Sequence, residues 1–203
     1  MTRQRSVRRQ VDAAVTGTRQ RVGLVVRVTA ALWVLELVDV FLLGGRLDAF
    51  GVRPRTMDGL WGIPAAPFLH GGLGHLVANT LPLLLLGFLA TSRRKADFWV
   101  VTVVSTLVGG LGTWLIAPGS TVHIGASGVV FGLLGFLMGR GLFERSLGAI
   151  AMSTAVTVLF GGMLWGVLPI VAGPGISWQM HLFGYLGGLF VSWTLGRGLR
   201  NRK

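Results

Sequence analysis

Six apolar stretches, each close to the length that a helix needs to cross a bilayer, constrain the fold of this chain more than any other feature. A spanning helix requires about 20 mostly apolar residues and satisfies its backbone hydrogen bonds internally. With 52% hydrophobic residues and a mean hydropathy of +0.68, the chain is predicted to be an all-α integral membrane protein. The stretches lie at about residues 24–43, 74–91, 97–117, 126–142, 147–169 and 178–196.

Arginine and lysine cluster at the ends of these stretches and predict the topology. Residues 1–21 contain six arginines, and more basic residues follow at 93–95, 140–145 and 198–203. Cytoplasmic loops are enriched in Lys and Arg. Both termini are therefore predicted to be cytoplasmic, as basic tails at 1–21 and 198–203 around one membrane domain at 22–197. Contact with anionic lipid explains the net charge of +12 more simply than nucleic acid does.

The start of the chain has a second interpretation, a signal peptide. The first apolar stretch is too long for one, and Glu36 and Asp39 interrupt it. With Arg27, these acids are expected to form a local ion pair or to be exposed near the interface, rather than to make a proton path. Only two of the 19 basic residues are lysine, a bias common in GC-rich genomes, which favours a bacterial plasma membrane.

A long loop at 44–73 separates the first two stretches. It contains Pro54, Pro64 and Pro67, and it is longer than the connections usual in compact domains. Such a loop has a function or packs independently. We expect it to contain short amphipathic helices that lie in the membrane interface.

Ser127 stands between small residues, in Gly125-Ala126-Ser127-Gly128, where a loop meets the fourth stretch. Glycines recur four residues apart in this stretch, at 128 and 132 and at 135 and 139, so each pair lies on one helix face. Small residues let helices approach closely in a membrane. By itself, the motif is explained equally well by helix packing.

The predicted topology brings further polar side chains to the depth of Ser127. His181 lies just inside the sixth stretch, and His75 and Asn79 share one face at the start of the second, with His70 before them. Polar residues within a membrane are costly and usually functional. A serine needs a base to become a nucleophile, imidazole is such a base near neutral pH, and acyl transfer needs oxyanion donors. Asn79, His75 and the Ser127 backbone N–H are candidates for those donors.

A carboxylate partner for His181 is not expected, since the acidic residues lie elsewhere in the chain. The sequence therefore predicts a Ser127–His181 dyad, with Phe131, one turn below the serine, orienting the imidazole by stacking. Gly184 and Gly188 share a face with His181. These glycines are predicted to press the sixth stretch against the glycine face of the fourth.

His70 is expected to tie the long loop to the second stretch, and the remaining histidine, His123, is interpreted as a loop residue. Four histidines could suggest zinc, but the chain has neither an HExxH motif nor cysteine. No metal and no cofactor are expected.

The combined motifs resemble the rhomboid family of intramembrane serine proteases over about residues 24–196. Those motifs are Gly125-Ala126-Ser127-Gly128, His181 with Gly184 and Gly188, and the segment from His70 through His75 to Asn79. The resemblance implies a six-transmembrane-helix bundle with a long loop between helices 1 and 2. It also implies Ser127 as nucleophile, His181 as general base, His75 and Asn79 in the oxyanion hole, and a water-filled cavity open to the outside.

Three positions depart from the common rhomboid pattern. Trp61 is followed by Gly62 instead of arginine, Met180 replaces the alanine usual before the histidine, and Phe131 replaces a frequent tyrosine. None of these changes removes a catalytic group.

Three function classes follow from these observations. An intramembrane endopeptidase would cut single-span membrane proteins near the outer face, within the lipid bilayer. A catalytically silent binder or chaperone of membrane helices could use the same fold. A transporter is disfavoured, since inverted repeats and broken midplane helices are not evident. The oligomeric state is left open by the sequence.

Overall fold

The structure is a computed structural model that describes residues 2–173 and 175–200. Within these ranges the chain forms helices and turns, with one isolated bridge between Val52 and His123 and no strand. The all-α prediction is confirmed. The α-helices are α1 (Thr2–Val38), α2 (Met57–Ala65), α3 (Leu73–Ala90), α4 (Lys95–Ile116), α5 (Ser127–Glu144), α6 (Leu147–Phe160) and α7 (Trp178–Arg200).

Four of the helical segments described here are long and apolar enough to cross a membrane. They are α3, α4, α5, and α6 with the 3₁₀ turn that extends it to Val167. α1 and α7, which contain the first and sixth predicted spans, are not among these four. The apolar part of α1 carries three charged residues, Arg21, Arg27 and Glu36, and Gln179 and His181 lower the hydropathy of α7. The protein is thus an integral membrane protein with at least four apolar helices of spanning length in its described part.

Helices extend into both of the predicted basic tails. α1 begins at Thr2 and runs without a break into the first apolar stretch, so residues 2–21 are helical. Arginine is a good helix former, and extending an existing helix avoids the cost of nucleation. At the other end, α7 continues to Arg200, and residues 201–203 lie outside the described part of the chain.

The end of α1 and the turn that follows it carry two acids into the interior, which corrects the expectation of a local ion pair or exposure. Glu36 and Asp39 are each 2% exposed, whereas Arg27 is exposed. Asp39 Oδ1 accepts the Leu47 N–H at 3.0 Å, because the chain turns back over the end of α1. The long loop, rather than the arginine, therefore covers these carboxylates.

α5 is the central helix of the bundle. It packs against α3, α4, α6 and, most extensively, α7. Two thirds of the residues in its apolar segment are buried, which is twice the fraction in α3 or α4. Ser127 is the first residue of this helix, so its backbone is held by the best-packed element of the fold.

Glycines bring α5 and α7 into backbone contact. A Cβ at Gly184 would overlap the carbonyl of Gly128, and a Cβ at Gly188 would overlap the carbonyl of Gly132. Gly135 faces the backbone of Tyr185 in the same way. The predicted contact between the two glycine faces is therefore present, and any larger side chain at these positions would separate the helices.

The long loop is packed tightly against the end of α4 and the segment before Ser127. α2 lies on the backbone of residues 51–53, because Gly59 and Gly62 have no Cβ to prevent it. Trp114 Nε1 donates to the Thr56 carbonyl at 2.8 Å, and Arg55 Nη1 donates to the Leu115 and Ala117 carbonyls. An arginine at position 62 would not fit against this backbone.

Replacing Gly184 by valine should destabilise the protein more than the same change at Gly187. Valine at 184 meets the α5 backbone, which cannot move aside. A Cβ at Gly187 has its nearest neighbours on α4 at 3.1 to 3.4 Å. Overpacking typically costs ~1–3 kcal/mol, and we expect Gly184→Val at the top of that range. Thermal unfolding in detergent measures the difference, and equal melting temperatures would contradict the assigned α5–α7 contact.

Candidate active site

A cavity of about 370 Å³ lies between the starts of α3, α5 and α7. Five of the side chains predicted to form the site share its wall. They are His75, Asn79, Ser127, Phe131 and His181. The other lining residues are Ala78, Pro82, Ile124, Val130, Met163, Gly175, Ile176 and Ser177. Residues that are up to about a hundred positions apart in the chain therefore meet at one polar pocket.

Ser127 is presented by a tight turn at the start of α5. Gly125 has a φ of +115°, a conformation that favours glycine. The Gly125 N–H donates to the Ala66 carbonyl at 2.8 Å, and the Ala126 N–H donates to His70 Nε2 at 3.2 Å. The first N–H groups of α5 have no intrahelical acceptor and carry the positive end of the helix dipole. The turn thus places Ser127 in the wall of the cavity, at the positive end of the α5 dipole.

The His181 ring is held by two contacts. Its Nδ1 lies 3.0 Å from the Gly166 carbonyl, and its face stacks on Phe131 with the ring centroids 4.1 Å apart and an angle of 10° between planes. A carbonyl only accepts hydrogen bonds, so Nδ1 is assigned the proton and Nε2 an unshared electron pair. This is the tautomer that a general base requires.

Ser127 and His181 line one cavity but are not hydrogen-bonded to each other here. In substrate-free enzymes such bonds are often long and shorten only when substrate is bound. The arrangement supplies the two groups in one cavity and the tautomer that a base requires.

His75 has the opposite tautomer. Its Nδ1 accepts the Gly71 N–H at 3.3 Å, so its proton is assigned to Nε2. A Cβ at Gly125 would lie 2.7 Å from this Nε2 and 3.7 Å from Ser127 Oγ. The glycine therefore leaves space for a ring N–H beside the serine, which is where an oxyanion donor is needed.

Asn79 stands one helical turn after His75. Its side chain is 6% exposed, and Nδ2 donates to the His75 carbonyl at 3.0 Å. An amide carries two N–H groups, so the second one remains for the cavity. This bond fixes the amide in place and couples Asn79 to His75.

His70 was expected to tie the long loop to the second span, and the structure gives it a different bond. It is 1% exposed, and it accepts the Ala126 N–H directly before Ser127. Its ring packs edge-on against His75 at 5.2 Å. Burial, with a smaller contribution from His75, lowers the pKa of His70 to about 4, so it is neutral at physiological pH and can accept this bond.

Two supports of the site were missed by the sequence analysis. The Gly166 carbonyl is a backbone group, and no side-chain pattern could indicate it. His123, interpreted as a loop residue, is 7% exposed and hydrogen-bonds to Ser177 across 54 positions of the chain. Its place directly before the Gly125 turn was the only available signal. Within the described residues, no three His, Asp or Glu side chains are grouped to hold a metal ion.

Comparisons with known proteins agree on one family. A family model described as Rhomboid domain matches residues 58–198. The Mycobacterium tuberculosis protein Rv1337 is 45% identical over 172 residues, which cover 82% of this chain and 71% of that protein.

A Bacillus subtilis relative, named Putative rhomboid protease YdcA, is 32% identical over 174 residues, 84% of this chain and 86% of its own. RHOMBOID-like protein 5 of Arabidopsis thaliana is 29% identical over 74% of this chain and 46% of its own. The mycobacterial matches also support a bacterial origin. The match to the family model and these identities establish that the chain belongs to the rhomboid family.

Proposed function

We propose that this protein is an intramembrane serine endopeptidase with a Ser127–His181 dyad. One observation carries the proposal: two imidazoles with opposite tautomers line the cavity that holds Ser127. His181 offers an unshared pair at Nε2, and His75 offers an N–H at Nε2. A base and an oxyanion donor beside one serine are the minimum that acyl transfer requires.

The first half of the reaction forms an acyl-enzyme. Ser127 Oγ attacks the carbonyl carbon of the scissile peptide while His181 Nε2 accepts the hydroxyl proton. The tetrahedral oxyanion is held by His75 Nε2–H, the Asn79 amide and the Ser127 N–H. Collapse breaks the C–N bond, and the proton on Nε2 passes to the leaving amine.

The second half consumes water. His181 accepts a proton from a water molecule in the cavity as its oxygen attacks the acyl carbon. The ester bond to Ser127 then breaks, Oγ regains a proton from His181, and the new carboxyl end leaves. During both halves the imidazolium is stabilised by the Gly166 carbonyl and by the face of Phe131, a cation–π contact.

The membrane context belongs to the same proposal. Six spans, including α1 and α7, would place both termini in the cytoplasm and the cavity toward the outer face of a bacterial plasma membrane. Glu36 of α1 is buried in the bundle, as are Gln179, His181 and Ser192 of α7, which is compatible with spanning. Substrates would be single-span membrane proteins cut near the extracytoplasmic face.

A second candidate is a catalytically silent binder or chaperone of membrane helices. The missing hydrogen bond between Ser127 and His181 favours it. Against it stand the defined tautomers of His181 and His75, since a protein that only binds helices has no use for a free Nε2 beside a serine.

Labelling by a fluorophosphonate probe should separate these candidates. The probe should modify the wild type at Ser127, and Ser127→Ala and His181→Ala should abolish both labelling and cleavage of a single-span reporter in liposomes. Ser153→Ala is the matched control. Ser153 lies in α6 and donates to the Met138 carbonyl of α5, and neither residue lines the cavity. Near-normal turnover of purified His181→Ala would disprove the dyad, and a folded wild type that is never labelled would favour the binder.

The oxyanion donors should be partly redundant. One such donor is worth on the order of 10²–10³ in rate, and the Ser127 N–H remains when a side chain is removed. We expect His75→Ala and Asn79→Ala to lower kcat strongly without abolishing it, and the double variant to be slower than either. Unchanged kinetics in the double variant would assign both residues a structural role.

Phe131→Leu should lower kcat about tenfold, because a leucine cannot hold the plane of the imidazole and small misplacements of a catalytic group are costly. Phe136→Leu is the control: Phe136 is fully buried on the same helix, and each substitution should cost on the order of 1 kcal/mol. Steady-state kinetics and melting temperature are measured together. If both variants lose the same activity, the stacking has no role beyond packing.

A further inference from the structure

We propose that His123 is a positioning residue, which fixes the relative placement of Ser127 and His181 by hydrogen-bonding the loop before α5 to the N-cap of α7. This inference rests on the proposed protease function. It assigns a role to His123, a histidine that the catalytic steps do not use.

His123 joins the two segments that deliver the dyad. Its Nδ1 lies 2.7 Å from Ser177 Oγ, and its Nε2 lies 2.7 Å from Thr121 Oγ1. Ser177 Oγ in turn accepts the Met180 N–H at 3.3 Å, and the Ser177 carbonyl accepts the His181 N–H at 3.1 Å. His123 therefore stands four residues before Ser127, and its partner stands four residues before His181.

The protons of this chain of groups can be assigned without conflict. Thr121 donates its only hydroxyl proton to the Pro118 carbonyl, so its oxygen accepts from His123 Nε2–H. Nδ1 of His123 is then an acceptor, and the Ser177 hydroxyl donates to it. Ser177 Oγ still has a lone pair for the Met180 N–H. Each group has one proton to give, and every one of them is used.

The surroundings of His123 keep it neutral and in place. Burial lowers its pKa, which preserves the acceptor at Nδ1. Its backbone pairs with Val52 in both directions, with the Val52 N–H donating at 2.9 Å and the His123 N–H at 3.0 Å. The long loop therefore holds the backbone of the histidine, while Ser177 holds its ring.

The need for such a bridge follows from the dyad itself. Ser127 and His181 come from different helices and are not hydrogen-bonded to each other, so their separation depends on the frame around them. The glycine contacts fix α5 against α7 from position 128 onward. The His123–Ser177 bond fixes the two chain segments before that point, where the helices have not yet begun to pack.

Three variants test the bridge. His123→Phe keeps a ring and the backbone pairing with Val52 and loses both side-chain bonds. His123→Asn keeps an amide oxygen near the position of Nδ1 and should restore most of the activity. Ser177→Ala removes the other end, and Ser146→Ala is its matched control, because Ser146 caps α6 by accepting the Ala149 N–H at 3.2 Å.

We expect His123→Phe and Ser177→Ala each to lower kcat by about 10- to 100-fold, as small misplacements of catalytic groups do, with KM unchanged. The double variant should be no slower than the slower single one. Ser146→Ala should lose stability without losing kcat. A normal kcat in His123→Phe, multiplying effects in the double variant, or no recovery in His123→Asn would overturn the proposal.

A readout that does not need turnover separates this inference from the proposed function. In protein labelled with ¹⁵N-histidine, His123 should show the Nε2–H tautomer, and Ser177→Ala should shift the ring signals of both His123 and His181. Ser146→Ala should shift neither. If the wild type cleaves nothing, the protease proposal fails while these shifts still support the bridge. Unmoved His181 signals in Ser177→Ala would overturn the bridge even in an active enzyme.

Discussion

The direct contact between the backbones of α5 and α7 is the constraint on which the rest of the structure depends. Gly128 against Gly184 and Gly132 against Gly188 leave no room for a Cβ between the helices. In a bilayer there is no hydrophobic force between helices, so close packing and hydrogen bonds have to hold them together. Because Ser127 immediately precedes the first of these glycines and His181 lies one turn before Gly184, the same packing that stabilises the bundle also places the proposed dyad.

Hydrogen bonds to backbone groups then set the chemistry of each ring. His181 Nδ1 donates to the Gly166 carbonyl, which fixes the proton on that nitrogen, whereas His75 Nδ1 accepts the Gly71 N–H, which leaves the ring proton on Nε2. A carbonyl carries a partial charge, whereas the carboxylate of a catalytic triad carries a full one. Stacking on Phe131 supplies the orientation that a carboxylate would otherwise provide. In a membrane a neutral partner also avoids the cost of burying another charge.

Much of this arrangement could be predicted from the sequence. The length of each apolar stretch, and the positions of the polar residues within it, follow directly from the order of the residues. The second stretch, predicted at 74–91, is observed as Leu73–Ala90, and Ser127, His181, His75 and Asn79 do line one cavity. The bond of His70 to Ala126 and that of His123 to Ser177 could not be predicted, since they join loops whose paths have no periodicity. The sequence pattern does not indicate the helix over residues 2–21, because apolar periodicity marks a buried helix face and these residues have almost none.

The central claim is that Ser127 Oγ and His181 Nε2 can reach the same substrate, and a bifunctional inhibitor tests it most directly. In a peptidyl chloromethyl ketone, Oγ adds to the ketone carbon and Nε2 displaces chloride from the neighbouring carbon. Tandem mass spectrometry of the digested adduct should recover a single species that joins the peptides containing Ser127 and His181. Alkylation of His75 or His123 instead, or an adduct that never joins the two helices, would contradict the account.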